Sequence, residues 1–108
     1  MTANFKPPKA KKDPAYLAKV RELGCCICEA FGEMQMSPTE AHHPIHGRFS
    51  FTKAPDDTAI PLCRGHHLGD FDTSKLAIHR GKETWAEKYG LDTDWIDATR
   101  DKIERMTP

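Results

Sequence analysis

The chain has 108 residues, a formal net charge of zero and 30% charged residues. That length is one domain, small enough that an added staple helps it hold a core. Zero net charge argues against a simple basic nucleic-acid-binding module. No stretch approaches the ~20 apolar residues of a bilayer span, and the first residues lack the apolar core of a signal peptide. A reducing cytoplasm is therefore expected, where four cysteines serve metal binding better than disulfides.

Residues 1–12 carry Lys6, Lys9, Lys11 and Lys12 with no acid and read as a flexible basic leader, with a single domain over 13–108. Asp13-Pro14 predicts a helix start, since Asp caps free amides and Pro tolerates the first helical position. Tyr16, Leu17, Val20 and Leu23 fall on one face, and Gly24 is expected to end the helix in a left-handed conformation. A tight turn at Cys25–Cys28 and a loop over 29–38 follow. Strands are expected at 39–43 and 58–62, joined by an irregular connection. A helix starts near Gly65 and runs to about Phe71, another covers 82–89 and stops at Gly90, and a last one covers 94–106. Asp92, Thr93 and Asp94 offer its N-caps. Trp85, Tyr89 and Trp95 recur at helical spacing and are assigned to the core.

The cysteines and histidines divide into two sets. Cys25/Cys28 and Cys63/His66 are two pairs, each with a two-residue gap that lets both side chains reach one ion. Four thiolate and imidazole ligands suit tetrahedral Zn²⁺. A knuckle, a hairpin and a helix starting at the second pair make a treble-clef arrangement. Cys26 is left as an ordinary buried thiol.

The remaining histidines are available for chemistry. Adjacent strand residues point to opposite faces, so His42 and His43 divide their tasks: one binds metal, the other takes a proton. His67 lies about 100° of helical rotation from His66 and faces the hairpin. An ion between His42 and His67, with His43 beside it, suits phosphodiester hydrolysis. Arg48, Lys53, Arg64, Arg80 and Lys82 flank this site as phosphate contacts, and His46 is a further substrate contact.

The runs CCICE, AHH and IPLCRGHHLGDF, with His79 before a helix holding Trp85 and Tyr89, resemble the HNH or ββα-metal endonucleases. Within them the pattern is most similar to the phage recombination-enhancement (Ref-like) nucleases over roughly residues 23–90. The resemblance implies an α+β fold: a small zinc-stapled treble-clef/ββα-metal core with flanking helices. It also implies a single-metal nuclease that cuts DNA to leave 5′-phosphate ends, with phage or host recombination proteins as partners. Carried over, His43 is the general base and His42 and His67 hold the catalytic ion, one of Mg²⁺, Mn²⁺, Ni²⁺ or Zn²⁺. The middle position, usually Asn, falls on Thr58, with Asp57 as the neighbour that holds the loop or orients His43. A further His usually found four residues on in the helix is replaced here by Phe71. His79 is then the expected third ligand, and Asp70 the runner-up. The competing reading is a zinc-stapled nucleic-acid-binding or adaptor module without catalysis, for which His42, His43, His67 and His79 are superfluous.

Overall fold

The computed structural model describes residues 12–47, 53–70 and 72–106. Helix α1 spans Pro14–Glu22 and starts as its sequence dictates, with the Asp13 carboxylate accepting the Tyr16 amide at 3.1 Å. It stops one residue before the expected site. Leu23 is extended and its amide returns to the Val20 carbonyl, so no left-handed glycine is needed. The turn at Cys25 does not give way to a loop either. It continues as helix α2, Cys26–Phe31, which ends at Gly32 with φ 66°.

Two antiparallel strands form the sheet, β1 at Thr39–His42 and β2 at Ile60–Cys63. In their register Thr39 faces Cys63 and His42 faces Ile60. Pro61 sits opposite Ala41 and brings no amide to the ladder, which a two-stranded sheet accommodates because each strand has a free edge. A single 3₁₀ turn at Asp56–Thr58 leads into β2, where the second strand had been expected to begin.

Helix α3, Arg64–His67, follows β2 directly and is shorter than the expected run to Phe71. Its end is fixed by the Leu68 and Gly69 amides, which both bond the Arg64 carbonyl, with Gly69 at φ 79°. A 3₁₀ turn at Ile78–Arg80 precedes helix α4, Lys82–Tyr89, whose bounds match the sequence expectation. The last helix begins as a 3₁₀ turn at Asp92–Trp95 and continues as α5, Ile96–Met106.

The sheet lies between two apolar clusters. One joins the four cysteines to Ile27, Ile60, Leu62, Ile78, Trp85 and Tyr89. The other packs Val20 of α1 against Ala59 and Ile103, with Tyr16, Leu17 and Leu23 around them. All four residues of β2 are buried; Ile60, Leu62 and Cys63 belong to the first cluster, and Ala59, just before the strand, to the second. Trp85 is completely buried and meets Tyr89 edge-on at 5.2 Å, so these aromatics are core as expected. The fold is a small α+β arrangement, and no described helix is long and apolar enough to cross a membrane.

Candidate functional site

Cys25, Cys28, Cys63 and His66 converge, all buried, at the junction of α2, β2 and α3. The Sγ atoms of Cys28 and Cys63 lie 3.8 Å apart. Nδ1 of His66 lies 3.5, 3.6 and 3.3 Å from the sulfurs of Cys25, Cys28 and Cys63. Tetrahedral Zn–S and Zn–N bonds of ~2.3 and ~2.05 Å give edges of about 3.8 Å between sulfurs and about 3.6 Å from sulfur to nitrogen. The observed separations are those edges, so the group can hold a structural metal such as zinc.

The electrostatics of the sulfurs agree. Cys63 is drawn far below the ordinary thiol range, first by its hydrogen bond from Cys25 and then by His66. Cys25 is pushed up by giving that bond, and Cys28 is pushed up to about 11, mainly by burial. A dication among these sulfurs would favour the thiolate form of each. On the far side of the ring, His66 Nε2 faces the Glu33 carboxylate at 3.3 Å and the Tyr89 hydroxyl at 3.4 Å. Nδ1, which faces the three sulfurs, is therefore the nitrogen available to an ion. Cys26 stays outside this group, its thiol raised to about 12 by burial, as its assignment to the core requires.

A second group draws on the next residue of the same short helix. His42, His67 and His79 bring a nitrogen each within 4.8 Å of one another, and could share one ion. Their ring centroids are 5.0 Å apart for His42–His67, 5.4 Å for His42–His79 and 4.9 Å for His67–His79. His42 is buried, His67 half-buried and His79 exposed, so the group opens outward. Burial lowers the pKa of His42 and keeps its ring neutral, the form that ligates metal. His79 joins the cluster from the 78–80 turn, whereas Asp70, the other candidate, is held by Arg64 through two 2.7 Å contacts.

Two carboxylates back this cluster. Asp92 Oδ2 accepts from His42 Nε2 at 2.9 Å, and Glu40 Oε1 accepts from His67 Nδ1 at 2.9 Å. His43 turns to a third: its Nε2 donates to Asp56 Oδ1 at 2.7 Å. Asp56 also accepts the Asp13 amide at 2.7 Å, and these two bonds hold its carboxyl below the usual range. Because each carboxylate only accepts, it fixes which ring nitrogen carries the proton. His43 is thereby left with its lone pair on Nδ1.

His42, His43, His67 and His79 line one open pocket of about 240 Å³ with Lys53. It continues past His43 and His67 into a groove of about 450 Å³ bounded by Glu40 and by Leu17 and Arg21 of α1. A family described as "Protein of unknown function (DUF968)" matches residues 2–103. The chain belongs to this DUF968 family. Comparison with curated proteins and with solved structures gave no match.

Several expected roles move. The residue that orients His43 is Asp56, not Asp57 or Thr58. Asp57 faces Arg100, and the Thr58 hydroxyl donates to the Pro55 carbonyl at 2.6 Å, because the 56–58 turn aims only its first side chain at His43. Both ring nitrogens of His46, the expected substrate contact, are engaged within the protein: Nε2 donates to the Lys82 carbonyl at 3.0 Å and Nδ1 accepts the Asp92 amide at 2.9 Å. Arg64 is engaged by Asp70 and Glu40, and Arg80 donates to the Leu68 carbonyl at 3.2 Å. Lys53 remains at the pocket, and Arg48 lies outside the described residues.

Asp92, Glu40, Asp56 and Arg21 were not expected at the site. Asp92 reads from sequence as a helix cap, but its carboxylate serves His42. Glu40 carried a usable signal, since it lies two residues before His42 and so on the same face of the strand.

Proposed function

We propose that the chain is a metal-dependent endonuclease that hydrolyses DNA phosphodiester bonds, an HNH-type enzyme similar to the phage Ref-like nucleases. The observation that carries this reading is the sharing of one open pocket by two kinds of imidazole. Three converge on a common point, and a fourth, His43, is held apart by its own carboxylate. A zinc-stapled binding module has no use for that division. The antiparallel pair of strands running straight into α3, beside the Cys₃His group, supports a ββα-metal or treble-clef core.

His42, His67 and His79 would hold the catalytic ion, Mg²⁺, Mn²⁺, Ni²⁺ or Zn²⁺, which when bound would supply charge neutralisation at the phosphate and at the leaving oxygen. His43 takes the proton of the attacking water at Nδ1 while Asp56 stabilises the resulting imidazolium through Nε2. The water oxygen bonds to phosphorus, the P–O3′ bond breaks, and the 3′ oxygen leaves and gains a proton from solvent. The products are a 5′-phosphate and a 3′-hydroxyl. Lys53, and Arg21 along the groove, offer charge to the flanking phosphates.

Nicking of supercoiled plasmid with each divalent ion tests the reading, wild type against His43→Ala. Loss of the general base should slow cutting by about 10²–10⁴-fold. Equal cutting by both proteins removes His43 from the mechanism. DNA binding without cutting under any ion favours a non-catalytic adaptor module.

A further inference from the structure

Asp92 is fifty positions from His42 in the chain, yet its side chain is fully buried against that ring. Oδ2 accepts from His42 Nε2 at 2.9 Å and from the Ile45 amide at 2.7 Å, while Oδ1 accepts the His46 amide at 3.2 Å. A carboxylate cannot donate, so His42 carries its proton on Nε2 and keeps a lone pair on Nδ1. That Nδ1 is buried and has no hydrogen-bond partner among the described residues. The His42 ring lies 5.0 Å from that of His67 and 5.4 Å from that of His79, centroid to centroid.

We infer that Asp92 is the positioning residue of the three-imidazole site: it fixes the tautomer and heading of His42 so that Nδ1 is the atom presented to a divalent cation. The inference rests on the reading that His42, His67 and His79 share an ion. Glu40 acts likewise on His67, but on the opposite ring nitrogen, since it takes the proton of Nδ1 and leaves Nε2 to ligate. The two carboxylates thus specify a mixed donor set, Nδ1 from β1 and Nε2 from α3. Asp92 arrives from beyond α4, so the C-terminal part of the chain takes part in shaping the site.

Asp92 also braces the 45–46 backbone, and the test separates the two roles. Ni²⁺ is titrated calorimetrically into protein whose zinc content has been measured, for wild type, Asp92→Asn and His46→Ala. The expected result is full zinc in all three, Ni²⁺ affinity about 10–100-fold weaker in Asp92→Asn, and a lower melting temperature with unchanged Ni²⁺ affinity in His46→Ala. Asp92→Asn binding Ni²⁺ as tightly as wild type overturns the inference and leaves the three-imidazole site standing. An equal loss in His46→Ala, which removes a ring whose Nδ1 lies 2.9 Å from Asp92 Oδ1, also overturns it, because the effect would then run through the packing of the 45–46 turn and not through the tautomer of His42. If wild type takes up no ion beyond the thiolate site, the underlying reading fails and Asp92 falls with it. Long-range ¹H–¹⁵N NMR on the unsubstituted protein does not depend on any variant folding. It should show His42 as the Nε2–H tautomer, and an Nδ1–H signal would refute the inference.

Discussion

His67 and Glu40 meet where α3 passes β1, Nδ1 to Oε1 at 2.9 Å, and the other oxygen of Glu40 holds Arg64 at 2.9 Å. One carboxylate on the strand thus fixes both an imidazole of the pocket and a guanidinium beside it. Glu40→Gln keeps the shape but loses the charge and can satisfy only one of the two donors. The expected result is about 10–100-fold weaker divalent-ion binding at the three-imidazole site with zinc content unchanged. Calorimetric titration checks it, and unaltered binding would show that Glu40 serves Arg64 alone.

The thiolate site should be inseparable from folding. Structural zinc contributes ~10–16 kcal/mol in zinc-finger peptides, as much as the whole stability of a typical domain, ~5–15 kcal/mol. Chelation, or Cys28→Ser, is expected to unfold the protein, read by circular dichroism and thermal melting. A chelated, zinc-free sample with an unchanged melt would show that the apolar clusters suffice.

Asp56 gives a pH signature. Its carboxyl is held below the usual range by the Asp13 amide and then by His43. Its contribution to stability is therefore complete above the unfolded value, ~3.9, and is lost as pH falls through the lower folded value. Asp56→Asn should be less stable than wild type at neutral pH, with the gap closing on acidification. Chemical denaturation at stepped pH measures it; a gap that stays constant down to about pH 2 would show that the carboxylate charge does not matter. The same variant should slow DNA cutting, since His43 loses the group that stabilises its charged form.

Gly65 is required by close approach. A Cβ there would sit 2.6 Å from Cγ and 3.0 Å from Cβ of Lys75. These atoms lie near the backbone, so they cannot simply swing away. Gly65→Ala is expected to cost about 1–3 kcal/mol by overpacking, seen as a lower melting temperature. An unchanged melt would mean that the 72–75 segment shifts freely.

The Cys₃His group was legible because its chemistry is written in local spacing, whereas the convergence of His42, His67 and His79, far apart in the chain, was expected partly through the family resemblance. Cys25/Cys28 and Cys63/His66 announce a shared ion, and the helical offset between His66 and His67 announces that the second ring leaves it. The supporting carboxylates were not legible. Asp56 and Asp57 are adjacent and chemically identical, and only the path of the 3₁₀ turn decides which faces His43. Asp92 sits among three plausible helix caps, and nothing local reveals that the fold carries it to His42. Nor does the sequence show that Arg64, expected at a phosphate, pairs with Asp70 and Glu40. Helix α2 was missed because the Cys25–Cys28 turn is also the first turn of a helix, and a metal-knuckle spacing masks that continuation.

The single turn of α3 supplies His66 to one centre and His67 to the other. It therefore acts as a ruler with no slack. Inserting or deleting one residue between Cys63 and His67 would swing the later ring by about 100° and break at least one constellation outright. The two-residue gap between Cys25 and Cys28 is under the same constraint for the first centre alone, whereas a change of length in this four-residue helix touches both.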